Sequence, residues 1–379
     1  MIDIIKAFDF PINIEISEDG SIYEIIIGDK KPKIETIKES PLPVVKIGIC
    51  GHGGLGDDLI RLNFILHLIP VFKKKYGNIL ITFYGRQEYS IFKSINFIDR
   101  WVFNKKSNLT AMANICSSEN DLSFIVRYTV TILQKGEEFV EKSDLGINSG
   151  NSIYENLESG LGEFAFGKNS LCLKKSLFQS SRQISLYKKL YFSLFFPCPF
   201  VIVSNGTDGI FPQKQTKRMS PQFINNVLSL FHKRGIKTIQ IGHKTTEFIE
   251  PLVSPKMGIN LIGKTKLNEV LFLIEKSIGV VACEGGVAHI SSLLEKKTVV
   301  MFGPTDPVFW RYPKNLNLSP SLDVCPIMPC WLKSGRWHEE CLGEKMRIVP
   351  SQNNGCSKCM NSHLSLTTID KIEEYLLGE

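Results

Sequence analysis

The sequence predicts an α/β chain built on two doubly wound parallel sheets. Three observations predict it. Short continuous apolar runs, among them Val44–Cys50, Phe200–Ser204 and Thr298–Phe302, read as strands buried on both faces. Amphipathic stretches of helical period follow several of them, and strands alternating with helices argue for a parallel sheet covered by helices. Glycine-rich turns join strand to helix at Gly51–Asp58 and at Cys283–Gly286, at the strand ends where such sheets bind ligands. At 379 residues the chain exceeds what one ordinary core holds, so two such domains facing a cleft are expected.

In chain order, residues 10–36 alternate apolar and polar positions around Asp19-Gly20, the pattern of a hairpin, so residues 1–42 are expected to form a small β appendage. Residues 43–190 are expected to form the first Rossmann-like domain: a strand at Val44–Cys50, a helix from Leu59 to about Lys74, a strand at Ile79–Tyr84 and a later strand at Ser123–Val130. Residues 133–190 give no clear periodicity. Residues 191–320 form the second domain. It holds strands at Phe200–Ser204, Lys237–Ile241, Gly279–Ala282 and Thr298–Phe302, and helices at Leu267–Ser277 and Val287–Leu294. A further helix there runs from Ser220-Pro221 to about Arg234, with Ser as N-cap and Pro at the first position. Residues 321–362 are cysteine-rich, and 363–379 are expected to close the chain as a helix.

Hydrophobic content of 43% with 22% charged residues fits a globular protein rather than a disordered one. No apolar run reaches the ~18 residues of a membrane span. Met1–Lys6 lacks the charge pattern of a secretory signal, so a cytoplasmic protein is expected. The net charge of +7 is spread along the chain, with short clusters at Lys73–Lys75 and Lys214–Arg218. Such clusters are either a solvated surface or an attraction for an anionic sugar nucleotide or membrane face. No basic–aromatic interleaving points to nucleic acid.

Four constellations carry chemistry. In Gly53-Gly54-Leu55-Gly56-Asp57 a carboxylate stands where a helix begins. It caps that helix, or acts as a general base toward an acceptor hydroxyl, or does both. In Glu284-Gly285-Gly286-Val287-Ala288-His289 a glycine pair opens a helix, whose unpaired N–H groups and dipole suit a phosphate. There Glu284 would bind ribose or sugar hydroxyls, and His289 is either a phosphate contact or a satisfied inner His. Gly303-Pro304-Thr305-Asp306-Pro307 is either a tight turn or the other wall of the same site. Lys217, beside Arg218, is either an exposed Lys before a helix or a cation that offsets leaving-group charge.

The fourth constellation is sulfur. Of ten cysteines, Cys50, Cys116, Cys172, Cys198 and Cys283 are scattered, and several sit in apolar surroundings, as buried reduced thiols do. The other five crowd together. Cys325 and Cys330 form one pair, Cys356 and Cys359 a second, and Cys341 lies between as an alternative ligand. Two such pairs suit a tetrahedral structural zinc or iron site, with disulfides as the rival.

Together these motifs resemble glycosyltransferase family 9, the ADP-heptose heptosyltransferases of lipopolysaccharide inner core. The resemblance lies in Leu55-Gly56-Asp57, in Glu284 to His289 against the family's Asp-x-Gly-x-x-His, and in Phe302-Gly303-Pro304-Thr305-Asp306-Pro307. It covers about half of the chain, residues 44–65 and 200–310. It implies a GT-B fold and an inverting transfer that needs no metal at the reaction centre, with Asp57 as base. It also implies a donor site of Lys217, Glu284, Gly285, Gly286, Val287, His289, Gly303, Thr305 and Asp306, faced by the acceptor-side loop Gly53, Gly54 and Gly56. Glu284 stands where the family has Asp, and its longer side chain bears on which donor is read. The appendage and the cysteines are similar to the autotransporter heptosyltransferases, which modify Ser hydroxyls on adhesins and carry a four-cysteine iron site.

The expected partners are a nucleotide-diphosphate sugar and an acceptor hydroxyl of lipopolysaccharide core or protein. Nucleic acid is not expected, membrane contact is at most peripheral, and homo-oligomers are left open. The alternatives are a transferase of another nucleotide sugar and a non-catalytic binding or assembly protein of the same fold.

Overall fold

The structure, a computed structural model, describes residues 12–16, 22–27, 43–51, 53–89, 91–92, 95–104, 108–127, 130–135, 138–144, 199–205, 216–243, 253–333, 340–350 and 356–378. The Asp19-Gly20 turn, the domain joint near residue 190, and Cys172 and Cys198 lie outside them. The chain divides into two compact units, Met1–Pro43 and Val44–Glu379. In the first, β1 (Ile12–Ile16) and β2 (Ile22–Ile27) pair antiparallel, with Ile12 opposite Ile27 and Ile14 opposite Ile25.

The second unit holds two six-stranded sheets. The first is built from β3 (Val45–Gly51), α1 (Leu55–Tyr76), β4 (Ile79–Gly85), β5 (Arg100–Phe103), α2 (Leu109–Glu119), β6 (Leu122–Arg127), β7 (Val130–Lys135) and β8 (Glu138–Asp144). Its strand order is β5-β4-β3-β6-β7-β8. The first four strands are parallel, as the sequence predicts, but β6, β7 and β8 run antiparallel. β8 is an edge strand of sequence EFVEKSD, whose charges suit an edge exposed on one side. That polarity is why no buried strand is legible there.

The second sheet comprises β9 (Phe200–Ser204), α3 (Pro221–Lys233), β10 (Lys237–Ile241), β11 (Gly258–Asn260), α4 (Leu267–Lys276), β12 (Gly279–Cys283), α5 (Gly286–Leu293), β13 (Thr298–Met301), α6 (Pro307–Trp310) and β14 (Leu316–Leu318). Its order is β11-β10-β9-β12-β13-β14, all parallel. β9 and β12 are buried along their whole length because helices cover both faces. In α3 the Ser220 hydroxyl accepts from the Phe223 N–H and Pro221 opens the helix, as its sequence predicts. That helix buries Phe223, Ile224, Val227, Leu228 and Phe231, each contributing roughly 1.5–3 kcal/mol. The C-terminal segment adds short helices α7 (Leu342–Lys345) and α8 (Lys358–Asn361) and the longer α9 (Leu366–Leu377). Among the described residues no helix is long and apolar enough to cross a membrane.

The chain direction of each sheet reverses beside its first strand: β4 lies on one side of β3 and β6 on the other, β10 on one side of β9 and β12 on the other. A crevice opens at the carboxyl ends of the strands at such a reversal. Beneath the first crevice Asp58 and Arg61 form a buried ion pair on α1. Burial pushes the Asp58 carboxyl up, to about 7, against the opposing pull of Arg61. Arg61 also fills the space under Gly51, where a Cβ would stand 2.5 Å from its Nη1. Arg61→Ala is therefore expected to cost about 3–5 kcal/mol, because it strands a buried carboxylate. Urea unfolding of the variant beside the wild type measures this.

Candidate functional site

The loop after β3 carries the first motif. Helix α1 starts at Leu55, four residues earlier than the glycines suggest, so Gly56 and Asp57 lie in its first turn. The Gly54 N–H donates to Asp57 Oδ2 at 2.6 Å. Asp57 thus caps the helix with one oxygen while remaining half-buried at the mouth of the site. Gly53 has φ 153°, and a Cβ there would lie 2.2 Å from Asp57 Oδ2, so the carboxylate folds back over a position only glycine fills.

The loops after β9 and β12 carry the second and third. Lys217 pairs with Glu284 Oε2, joining residues 67 apart in sequence. Glu284 Oε1 faces His289 Nε2 at 3.5 Å, and His289 Nδ1 meets the Tyr312 hydroxyl at 2.7 Å. Burial alone would raise the Glu284 carboxyl, but the Lys217 ammonium and His289 outweigh it and bring it down to about 2. Glu284 is thus a buried carboxylate held between two donors. Gly285 precedes α5, whose first intrahelical bond runs from the His289 N–H to the Gly285 carbonyl at 3.1 Å. The N–H groups of Gly286, Val287 and Ala288 have no earlier turn to bond to, and point out of the helix end.

The motifs of the two sheets meet. A Cβ on Gly56 would lie 2.6 Å from His289 Cδ2, and one on Gly286 would lie 3.3 Å from Leu55 Cδ2. Helices α1 and α5 pack against each other here. The start of α1, which carries Asp57, and the start of α5, which follows Glu284, are therefore in contact.

The turn after β13 divides its duties. Asp306 caps α6, its Oδ1 accepting from the Val308 N–H at 2.8 Å. Thr305 is buried, and its Oγ1 has no hydrogen-bond partner among the described residues. A Cβ on Gly303 would strike Met360 Sδ at 2.4 Å and stand 3.2 Å from Cys359 Sγ. Gly303 thus lets the cysteine-rich segment close on this turn. That segment also grips the Lys217 loop: the Ser357 hydroxyl donates to the Thr216 carbonyl at 2.8 Å, and the Trp331 N–H donates to the Pro304 carbonyl at 3.1 Å.

Cys325, Cys330, Cys341 and Cys359 line one small cavity. The Cys356 Sγ lies 3.7 Å from the Met219 carbonyl. Burial pushes Cys330 up to about 11 and Cys359 up to about 12. Among the described residues no three His, Cys, Asp or Glu side chains are grouped closely enough to hold a metal as they stand.

Sequence reasoning missed Tyr312, the Asp58–Arg61 pair and Asn205. Asn205, at the end of β9, donates to the Met219 carbonyl at 3.0 Å and accepts from its N–H at 2.7 Å, and so ties down the loop bearing Lys217. The aromatic run Phe309-Trp310-Arg311-Tyr312 directly after the Thr-Asp-Pro turn was the available signal for Tyr312.

Residues 186–330 match the family described as Glycosyltransferase family 9 (heptosyltransferase). These residues, fewer than half of the chain, are similar to that family. The matched span contains both the Lys217 loop and the Glu284–His289 motif. Over 51 residues, 14% of this chain, it is 37% identical to Lipooligosaccharide heptosyltransferase 2 of Haemophilus influenzae, and the match spans 15% of that relative's length. A family 9 glycosyl transferase from Veillonella parvula DSM 2008 superposes with a TM-score of 0.58 at 13% identity, covering 88% of this chain and 98% of its own. That likeness establishes the shared fold, the two-sheet architecture of the family. TibC of enterotoxigenic E. coli H10407, a dodecameric iron-containing glycosyltransferase, superposes with a TM-score of 0.43 at 13% identity, covering 74% of this chain and 63% of its own.

Proposed function

We propose that the protein is an inverting glycosyltransferase that moves a sugar, heptose from ADP-heptose, onto a hydroxyl of lipopolysaccharide core or of a protein. One observation carries the reading: the loop after β3 that holds Asp57 packs against the start of α5, with Gly56 against His289, on the element that follows the Lys217–Glu284 pair, and on this reading they line one crevice. In that crevice the donor's diphosphate lies against Lys217 and the N–H groups at the start of α5. Glu284 and Thr305, whose buried hydroxyl has no partner among the described residues, orient the ribose or the sugar.

Asp57 takes the proton of the acceptor hydroxyl as its oxygen attacks the anomeric carbon. The bond from that carbon to the diphosphate breaks, and the nucleoside diphosphate leaves with the electron pair. Lys217 and the helix N–H groups offset the charge that develops on it. A single displacement from the face opposite the leaving group inverts the anomeric centre. The reading predicts that ADP-heptose with a lipopolysaccharide-core or peptide acceptor gives ADP and a heptose-bearing product by mass spectrometry. Nucleotide binding without turnover on any acceptor favours the binding-protein alternative instead.

The four cysteines around one cavity are the donor type that structural zinc or iron takes, and they would have to draw together to hold an ion. Cys325, Cys330, Cys341 and Cys359 would hold the ion, and their thiols would ionise on binding it. Elemental analysis of purified protein is expected to give about one zinc or iron per chain, lost on Cys341→Ser and kept on Cys356→Ser. Loss on both, or on neither, contradicts this ligand set.

A further inference from the structure

We propose that Tyr312 is a positioning residue of this site: its hydroxyl donates to His289 Nδ1, fixes the imidazole as the Nε2–H tautomer and so sets the carboxylate of Glu284. The functional consequence rests on the glycosyltransferase reading above; the hydrogen-bond assignment does not.

Glu284 is a carboxylate and can only accept. The ring nitrogen that faces its Oε1 at 3.5 Å is His289 Nε2, so Nε2 carries the hydrogen. A neutral imidazole has one hydrogen, so Nδ1 accepts, and the group 2.7 Å away is the Tyr312 hydroxyl. The groups facing His289 are thus Glu284 from the end of β12, with Lys217 beyond it, and Tyr312 from the segment after α6.

The surroundings leave the ring little freedom. Tyr312 meets it edge-on at 5.5 Å and Trp310 does so at 6.3 Å between ring centroids. Gly56 closes a third side. Tyr312 is itself anchored, for its carbonyl accepts from the Asn315 N–H at 3.0 Å and from Asn317 Nδ2 at 3.0 Å. Each oxygen of Glu284 then has an assigned donor, Oε1 to His289 and Oε2 to Lys217. The carboxylate plane is fixed before a donor arrives, which is the preorganisation a sugar-reading acid needs.

The test is a two-bond nitrogen–proton spectrum of the full chain labelled in histidine, with no nucleotide present. The expected wild-type result is Nε2–H for His289 at neutral pH. In Tyr312→Phe the signal is expected to become a tautomer mixture or to move to Nδ1–H, and affinity for ADP to fall roughly tenfold. Wild-type His289 found as Nδ1–H, or doubly protonated, overturns the proposal even where the variant fails to fold. So does a Tyr312→Phe spectrum unchanged from wild type. Failure of the wild type to bind ADP contradicts the glycosyltransferase reading instead, and the tautomer result still stands or falls alone.

Discussion

Asp57→Asn is expected to lower sugar transfer by about 10²- to 10⁴-fold while ADP binds with nearly wild-type affinity. The substitution separates the helix cap that Asp57 makes from the base role proposed for it. Its Oδ2 accepts from the Gly54 N–H, and an Asn oxygen in the same place accepts equally well. Asn has no basic oxygen and cannot take the acceptor's proton. The helix cap is therefore kept and the base removed. Asp57→Ala removes both, and is expected to lose a further ~1 kcal/mol of stability. Initial rates of ADP release with calorimetric ADP titration of both variants separate the roles. Near wild-type turnover in Asp57→Asn, with a defect only in Asp57→Ala, would reduce Asp57 to a cap.

Lys217→Ala is expected to weaken ADP binding by about a hundredfold or more and to change the protein's response to acid. Lys217 is only 20% exposed and Glu284 7%, so removing the cation strands a carboxylate in the interior, a change that typically costs about 3–5 kcal/mol. In the wild type the Glu284 carboxyl is held at about 2, below its ordinary 4.5. The pair therefore contributes stability that is fully present above about 4.5 and lost as pH falls through about 2. Without Lys217 burial dominates, the carboxyl rises, and protonation relieves the strain. The stability gap between wild type and Lys217→Ala is thus expected to shrink as pH falls below neutrality. Melting temperatures of both proteins from pH 7 downward measure it, and a gap constant with pH contradicts the pairing.

The second sheet was legible because its strands are continuous β-branched and apolar runs, buried on both faces. Ser220 and Pro221 also announce α3 in the sequence itself. In the first sheet β7 and β8 were not legible, since their sequences, VTILQK and EFVEKSD, mix apolar and polar residues and form no continuous apolar run. The start of α1 was misplaced for another reason. Glycine ordinarily argues for a loop, but Gly56 is helical, and it is glycine because His289 Cδ2 leaves no room for a Cβ.

The site was legible as motifs and not as contacts. The Gly-Gly-Val-Ala-His run and the Leu-Gly-Asp loop carry local chemistry that a sequence displays. That Lys217 reaches Glu284, or that Tyr312 reaches His289, depends on which strand ends the topology makes neighbours. Spacing likewise does not display that Cys341 lines a cavity with Cys325, Cys330 and Cys359.

The most direct measurement is a crystal structure of the protein with ADP bound. The predicted result is a diphosphate between Lys217 Nζ and the N–H groups of Gly286 and Val287, with the Asp57 carboxylate across the crevice from it. ADP bound elsewhere, with the Lys217–Glu284 pair intact and the start of α5 untouched, is the result that contradicts it.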